Sequence, residues 1–270
     1  MSPPSPQEPL FAEERKSGIV ELVNRRKKAL VPELVRHFQV SPATIRNDLR
    51  ELEQLGLLRR THGGAIPVDL ARVGFESEHE NKSVEKKDRK QAIALKALER
   101  VEDGDIVLLD AGTTTLELAK LLGRRKDVTV VVNDLDIAIH LENVEGLNVI
   151  LIGGTLRRHF HCTVGTFATS LLSELNVDKL FLGTNSFSVV KGCTTPDISQ
   201  AEVKRLMIRV TSEVILLCDS SKFGKTSFVQ FAPLSDIDAV ITDAAVDARD
   251  VDELTAQGID VYAVEFGVRP

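Results

Sequence analysis

Cysteines and long apolar runs are scarce in this 270-residue chain, and each scarcity excludes a class of protein. Cys162, Cys193 and Cys218 are widely spaced, which argues against a disulfide-stabilised secreted domain and for a reducing cytoplasm. No apolar run approaches the ~20 residues of a transmembrane helix, so we expect no membrane partner. The first residues lack a basic segment followed by an apolar one. We therefore expect a short disordered lead at 1–10 rather than a secretory signal.

The chain also lacks an excess of positive charge. It has 34 Lys and Arg against 40 Asp and Glu, a net of −6, which argues at first against nucleic acid. The distribution favours the opposite view. Residues 1–70 hold 11 basic and 9 acidic residues, a net of +2, whereas the other 200 hold 23 and 31, a net of −8. A locally basic small segment joined to an acidic larger one fits a DNA-binding domain attached to a second domain.

Length and composition predict a two-domain globular protein. Hydrophobic residues make up 43% of the chain and charged residues 27%, which is enough for a real core. We expect a DNA-binding domain at 11–68, a linker at 69–88 and an α/β domain at 89–270.

A candidate recognition helix begins at Ser41, a favourable N-cap that precedes Pro42. Ile45, Leu49 and Leu52 give it one apolar face, and its polar face carries small, hydroxyl, amide and guanidinium groups. Such a helix can reach base edges in the major groove. An ordinary solvated amphipathic helix is the alternative for this segment taken alone.

The neighbouring segments favour DNA binding. Helices at 11–28 and 32–38 precede the candidate helix, and Gln39 and Val40 form the turn of a helix-turn-helix. Gly56 can end the third helix, and a strand from Leu57 with a glycine hairpin forms a wing. The predicted DNA contacts are Ser41, Ala43, Thr44, Arg46, Asn47 and Arg50 of the helix, and Arg59, Arg60 and His62 of the wing.

From Glu14 to Ala65 the chain closely resembles the winged helix-turn-helix of DeoR-family bacterial transcriptional regulators, in several blocks at the right spacing. One position departs from the family pattern, which usually has Arg where this chain has Asn47. An amide there can read adenine. The operators of relatives are therefore not carried over to this protein.

From residue 91 onward, short Val/Ile/Leu runs alternate with helices, which predicts a mainly parallel, Rossmann-like sheet covered on both faces. Ligands bind such sheets at the carboxyl ends of the strands. Gly112 followed by three threonines at a helix start suggests a phosphate cradle, with Lys222 as the opposing charge. The alternative is that these threonines simply cap the helix. The basic residues at 82–90 fit a solvated helix face better than a DNA contact.

The second domain resembles the DeoR-family sensor domain over about 85–245. The blocks that carry the resemblance are Leu108–Thr115, Ile152–Thr155, Asp178–Gly183, Glu202–Lys204 and Asp219–Gly224. That domain is similar in fold to ribose-5-phosphate isomerase, and the family typically senses phosphorylated sugars. The resemblance implies that Gly112, Thr113, Thr114 and Thr115 hold a phosphate, and that the pocket is lined by Asp110, Asn133, Gly153, Gly154, Lys222 and, with a weaker claim, Lys204.

Two other site types have little support in the sequence. His159, His161 and Cys162, with the distant Cys193, lack the paired spacing of metal ligands, so we expect neither a metal nor a cofactor. Arg157 and Arg158 either contact a sugar phosphate or lie on the surface. The acidic residues show no interpretable general acid/base pair.

Three functions follow. The first is a cytoplasmic, homo-oligomeric regulator, a dimer or tetramer, whose partners are operator DNA and a phosphorylated sugar-type effector that relieves repression. The second is a sugar-phosphate isomerase or deaminase fused to a DNA-binding domain, although the loop at 183–186 offers no carboxylate for it. The third is a DNA-binding scaffold without a ligand.

Overall fold

The computed structural model describes residues 12–55, 57–61, 63–67, 76 and 86–267. The chain divides into two compact units, the N-terminal unit Met1–Phe75 and the C-terminal unit Glu76–Pro270. Across the described ranges, no helix has the length and apolar character needed to cross a membrane. The predicted lead at 1–10 lies outside the described residues, as do Gly56 and His62. Of the predicted linker at 69–88, only Glu76 and residues 86–88 are described.

The described residues of the N-terminal unit form three helices and a small antiparallel sheet of strand order β1-β3-β2. In chain order the elements are α1 Ala12–Arg26, β1 Ala29–Leu30, α2 Val31–Phe38, α3 Pro42–Gln54, β2 Arg59–Thr61 and β3 Gly64–Ile66. The three helices confirm the helix-turn-helix prediction, and β2 with β3 forms the wing. The hydrophobic core of this unit includes Ile19, Leu34, Ile45 and Leu49.

The start of the wing was predicted two residues too early. Leu57 and Leu58 precede the strand, and Leu58 is buried in the core of the unit, which explains its apolar character. The sequence also gave no sign of β1, which pairs with β3. A Cβ atom at Gly64 would lie 2.0 Å from the carbonyl oxygen of Ala29. Only glycine therefore allows β1 to approach the wing this closely.

The C-terminal unit is built on a seven-stranded sheet in which every pair of neighbours is parallel. The strand order is β15-β14-β12-β9-β4-β5-β6. These strands are β4 Ile106–Leu109, β5 Val128–Val132, β6 Leu147–Leu151, β9 Val177–Gly183, β12 Thr211–Leu217, β14 Ala239–Asp243 and β15 Asp260–Val264. The predicted parallel α/β architecture is confirmed.

Helices cover both faces of this sheet. They are α4 Lys87–Leu98, α5 Thr113–Ala119, α6 Leu135–Leu141, α7 Thr166–Ser173, α8 Ile198–Arg209 and α9 Ala248–Ala256. Successive residues of β4 point to opposite sides, since Leu108 packs in one core cluster and Leu109 in the other. A strand buried on both faces must be apolar at every position, which is why these strands read as continuous Val/Ile/Leu runs.

Two small antiparallel sheets in the C-terminal unit were not predicted. One is the hairpin of β7 Thr155–Arg157 and β8 Cys162–Val164, and the other pairs β10 Ser186–Ser188, β11 Gly192–Thr195 and β13 Val229–Ala232. Their short segments mix polar residues with glycine and lack a clear alternation. Pairing across the fold, rather than local pattern, determines these strands.

The order in which the chain adds strands to the parallel sheet reverses between β4 and β9. From β4 the chain adds β5 and β6 on one side, and from β9 it adds β12, β14 and β15 on the other. The loops that follow β4 and β9 therefore diverge and leave a crevice at the carboxyl ends of these two strands. Such a reversal is the usual position of a ligand site in an open α/β sheet.

Candidate functional site

The polar face of α3 is exposed and carries the predicted base-contacting groups. Arg46, Asn47 and Arg50 are exposed, and the Nη1 atom of Arg50 donates a hydrogen bond to Oδ1 of Asn47 at 3.3 Å. The two hydroxyl residues of the prediction, Ser41 and Thr44, bond to each other at the start of the helix. The Ser41 hydroxyl accepts a hydrogen bond from the backbone N–H of Thr44 at 3.1 Å and lies 2.9 Å from the Thr44 hydroxyl. Ala43 is exposed in the first turn.

A buried ion pair that sequence reasoning missed fixes α3 against α1. The Nε atom of Arg15 lies 2.6 Å from Oδ2 of Asp48, and its Nη2 atom donates to Oδ1 at 3.1 Å. Hydrogen bonding to Asp48 raises the pKa of Arg15 above its usual value. The signal was present in the sequence, because Asp48 lies between Ile45 and Leu52 on the apolar face of the helix.

The wing presents its two described arginines to solvent. Arg59 is exposed, and Arg60 lies beside Glu53 at the end of α3. The backbone N–H of Arg60 donates to Oε1 of Glu53 at 2.8 Å, whereas its Nη1 atom is 3.9 Å from Oε2. The contact therefore ties the wing to α3 mainly through the backbone and leaves most of the Arg60 guanidinium hydrogen-bonding capacity available.

A cavity of about 80 Å³ lies at the carboxyl ends of β4, β9 and β12. It is smaller than the ~300–1,000 Å³ that ligand sites usually offer. The lining residues are Glu76, Lys86, Lys90, Ala111, Gly112, Thr113, Thr114, Thr115, Gly183, Thr184, Asn185, Gln200, Leu217, Cys218, Lys204, Asp219 and Lys222. The predicted Gly112–Thr115 loop, Lys204 and Lys222 thus lie around a common cavity at the sheet reversal.

Positive charge predominates in this lining, with four lysines against the carboxylates of Glu76 and Asp219. Lys86 Nζ lies 3.1 Å from Oδ1 of Asp219. Burial alone would raise the pKa of Asp219, but hydrogen bonding from Ser221 and the charges of Lys222 and Lys86 lower it overall. Asp219 therefore stays ionised at neutral pH and offsets part of the lysine charge. The remaining positive charge favours an anionic ligand.

Lys204, a lining residue of the cavity, forms a buried ion pair with Asp110. Lys204 Nζ contacts Oδ2 of Asp110 and also donates to the carbonyl oxygen of Gly183 at 3.0 Å. The same carboxylate oxygen accepts a hydrogen bond from the Gly183 N–H at 2.8 Å. The pair joins the ends of β4 and β9 to α8. Asp110 is not itself a lining residue, so its place is under the pocket rather than on its wall.

The three threonines that open α5 all line the cavity. Thr115 is buried, and its hydroxyl donates to the Gly112 carbonyl oxygen at 2.8 Å. This contact is not an N-cap, in which a side-chain oxygen accepts from a backbone N–H, and the cap position itself is Gly112, without a side-chain cap bond. Thr114 is half-buried at the cavity. The N–H groups of a first helical turn have no partner within the helix, so this loop also offers backbone donors to an anion.

Three predicted pocket residues, Asn133, Gly153 and Gly154, are not among the lining residues. They follow β5 and β6, which lie on the far side of β4 from β9. Asn133 donates through Nδ2 to the Thr163 carbonyl oxygen at 2.9 Å. A Cβ atom at Gly154 would lie 2.7 Å from the Val164 carbonyl oxygen, so this glycine permits close packing of β8.

The structure adds residues that sequence reasoning did not assign to the pocket, and it corrects the solvated-face interpretation for Lys90, while residues 82–85 lie outside the described ranges. Lys86 and Lys90 line the cavity, and Lys90 is buried rather than on a solvated helix face. The Nη1 atom of Arg89 lies 3.3 Å from Oδ1 of Asp243. The signal for Lys90 was its spacing, because it shares one helix face with Ile93 and Ala97. Asn185 and Glu76 carried no comparable signal.

Of the residues considered as metal ligands, His159, His161 and Cys162 lie in the β7–β8 hairpin, whereas Cys193 lies in β11 of another sheet. His159 and His161 have left-handed φ angles of 65° and 54°, and His161 Nδ1 lies 2.8 Å from Oδ2 of Asp136. Burial raises the pKa of the Cys162 and Cys193 thiols to about 12. Within the described ranges, no three His, Cys, Asp or Glu residues are grouped as a metal site.

Two family models match the chain. One is the DeoR-like helix-turn-helix domain, over residues 15–69, and the other is the DeoR C-terminal sensor domain, over residues 85–244. The chain is 45% identical over 248 residues to the HTH-type transcriptional regulator GlpR of Haloferax volcanii, covering 92% of this chain and 96% of that protein. It is 39% identical to the transcriptional repressor AccR of Agrobacterium fabrum, covering 86% and 90%.

Among solved structures, the chain is similar to a D-ribose-5-phosphate isomerase in complex with phospho-erythronic acid. The identity is 16%, the TM-score is 0.39, and the match covers 51% of this chain and 54% of that chain. A likeness of this extent carries no argument about the site.

Proposed function

This chain belongs to the DeoR family of helix-turn-helix transcriptional regulators, and we propose that it represses a carbohydrate-metabolism operon until a phosphorylated sugar binds its C-terminal unit. The DNA-binding and sensor domains together account for most of the chain. In this proposal α3 reads operator bases and the wing contacts the phosphate backbone.

The observation that carries the effector proposal is the lysine-rich cavity at the sheet reversal. A phosphate would accept hydrogen bonds from the first turn of α5 and from Thr114, with Lys222 supplying positive charge. A sugar hydroxyl would face Gln200, which lines the same cavity. The effector relieves repression by favouring a form of the protein that binds the operator poorly, which requires different affinities for the two forms.

The test is a set of mobility-shift titrations on DNA from the control regions of neighbouring carbohydrate operons. Each titration is repeated with a sugar phosphate, such as glucose 6-phosphate or fructose 6-phosphate, and with the unphosphorylated sugar as the control. We expect the phosphorylated compound alone to release DNA. Equal behaviour with all phosphorylated and unphosphorylated sugars would contradict the effector proposal.

We further propose a cytoplasmic homo-oligomer, since symmetric proteins usually read repeated operator half-sites. Sedimentation equilibrium with and without operator DNA would measure the assembly, and a monomer in both conditions would contradict this part. We also propose that the protein is not an enzyme, because its relatives are named as transcriptional regulators. Conversion of ribose 5-phosphate or glucosamine 6-phosphate by the purified protein would overturn that statement.

A further inference from the structure

We propose that Arg157 and Asn185 form a second anion subsite of the pocket, which the Glu76 carboxylate fills in this structure. An effector with a second phosphate group would displace Glu76 and bind there. This inference rests on the proposed role of the cavity as the effector site, and it names the effector class as a sugar bisphosphate.

The Glu76 carboxylate is held as a bound anion would be. Its Oε2 atom lies 2.7 Å from Nη2 of Arg157, and its Oε1 atom accepts a hydrogen bond from Nδ2 of Asn185 at 2.8 Å. The Glu76 side chain is 5% exposed and that of Arg157 is 15% exposed. Charge-assisted hydrogen bonds of this length are the usual means of recognising carboxylates and phosphates in proteins.

Glu76 contacts both the cavity and Arg157. Glu76 and Asn185 line the cavity, whereas Arg157 does not. Removal of the carboxylate would therefore expose the guanidinium to the pocket and enlarge a cavity that is now about 80 Å³. A cavity of that size is too small for a typical ligand, so an effector must displace something to enter.

The donors of Arg157 that do not contact Glu76 favour a phosphate over a carboxylate as the ligand of this subsite. Its Nε atom lies 3.3 Å from Oδ2 of Asp197, which orients the guanidinium. Its Nη1 atom is buried and has no hydrogen-bond partner within the described part of the chain. A phosphate has three terminal oxygens. It can replace both contacts of Glu76 and still accept from Nη1, which a carboxylate with two oxygens cannot do as readily.

The test uses inorganic phosphate as the probe and isothermal titration calorimetry of the full chain, which counts sites and measures Kd. Wild-type protein should bind one phosphate per chain, in the α5 cradle. Glu76→Ala should bind a second, because its competitor is gone, and the double variant Glu76→Ala/Arg157→Met should return to one. Glu76→Gln keeps the shape of the side chain without its charge. We expect it to strengthen fructose 1,6-bisphosphate binding about tenfold, the equivalent of about 1.4 kcal/mol.

The matched control is Glu213→Gln, which removes a carboxylate from the ion pair with Arg100 at the amino end of β12. It should change neither the number of sites nor the affinity. No added site in Glu76→Ala, together with unchanged or weaker bisphosphate binding in Glu76→Gln, would overturn the subsite and leave Glu76 as a structural tether.

The subsite and the proposed effector site fail in different ways. In one outcome, wild type binds one phosphate, Lys222→Met loses this site, and Glu76→Ala gains none. This outcome supports the effector site and contradicts the subsite. Absence of phosphate binding in wild type, with one site in Glu76→Ala that Arg157→Met removes, supports the subsite and contradicts the cradle.

Discussion

The candidate sites of the two units place their charged side chains in opposite environments. In the N-terminal unit Arg46 and Arg59 are exposed, whereas in the C-terminal unit Asp110 and Lys204 are 1% and 2% exposed. A DNA-reading surface must leave its cations available to phosphates and base edges. A site for a small anion gains from excluded water, which strengthens each electrostatic contact. We therefore expect a buried charge to matter more for stability than an exposed one.

This contrast has a direct consequence for mutations. Removing an exposed arginine should change DNA affinity while leaving the free energy of unfolding nearly unchanged. Removing a buried charge should destabilise the fold because its partner stays buried and unpaired. Because the chain contains no tryptophan and one tyrosine, far-ultraviolet circular dichroism is the suitable probe of unfolding.

The largest expected effect is that of Lys204→Met. The substitution leaves the Asp110 carboxylate buried without its cation, and it should lower the free energy of unfolding by about 3–5 kcal/mol. Urea unfolding followed by circular dichroism measures this loss. The control is Lys120→Met, whose partner is Glu117 and whose side chain is 40% exposed. It should cost below ~1 kcal/mol. A similarly small loss for Lys204→Met would remove the contrast between the two units.

The second prediction concerns pH and the buried Asp134. Burial raises the pKa of this carboxyl from 3.8 to about 7, and its Oδ2 atom has no hydrogen-bond partner within the described ranges. The folded state holds the proton more tightly than the unfolded chain. The stability contributed by this group is therefore complete below pH 3.8, falls as the pH rises toward about 7, and is then constant.

The variant Asp134→Asn lacks the titrating group and keeps an oxygen that can cap α6. The free energy of unfolding of wild type minus that of the variant should fall by up to ~1.4 kcal/mol per pH unit between pH 4 and 7. Urea titrations at several pH values would measure the difference. A difference that is flat across this window would show that Asp134 is not protonated in the folded protein.

The third prediction tests the exception to the contrast, the Arg15–Asp48 pair of the N-terminal unit. The two side chains are 12% and 6% exposed. Asp48→Ala should lower the free energy of unfolding of this unit by about 2–3 kcal/mol, because it removes two charge-assisted hydrogen bonds. Glu51→Ala, which removes a carboxylate that is 54% exposed, is the matched control. Equal stability of the two variants would mean that the pair does not anchor α3.

The smallest effects on stability, and the largest on DNA binding, are expected on the exposed face of α3. Arg46→Ala or Asn47→Ala should weaken operator binding by ~1–3 kcal/mol and relax base preference. Arg59→Ala should weaken all DNA about equally and reduce the salt slope by ~1. Fluorescence anisotropy on operator and scrambled DNA measures both, with the exposed Arg124→Ala of the C-terminal unit as control. A uniform loss for Asn47→Ala would make Asn47 a backbone contact.

The sequence predicted the N-terminal unit well because its signals are local. The cap at Ser41, the apolar spacing of α3 and the glycines of the wing each lie within a few residues of the structure they specify. The position of Asp48 on the apolar face indicated its burial, but its partner, Arg15, is 33 residues away, so the ion pair was missed. Pairing at such a distance has no periodic pattern.

The pocket was predicted only in part, because some of the signals it depends on are not local. Strand ends are visible in the sequence, but strand order is not, so Asn133 and Gly153 seemed equivalent to Gly112. The order places β9 beside β4 and takes β5 and β6 to the other side. The contacts of Glu76 could not be predicted from the sequence for a further reason. It lies within the predicted linker, where no pattern indicates a contact with Arg157 and Asn185.

The most direct test of the account measures operator affinity and sugar-phosphate affinity in wild type, Lys222→Met and Arg46→Ala. We predict that the sugar phosphate raises the operator Kd of wild type. Lys222→Met should bind DNA normally and need at least ~10-fold more sugar phosphate for release, a loss of ~1.4 kcal/mol. Arg46→Ala should bind DNA more weakly and bind the sugar phosphate normally. The two sites affect each other's affinity reciprocally, but the contacts that each makes with its own ligand are distinct. Release of wild type and Lys222→Met at the same sugar-phosphate concentration would contradict the account.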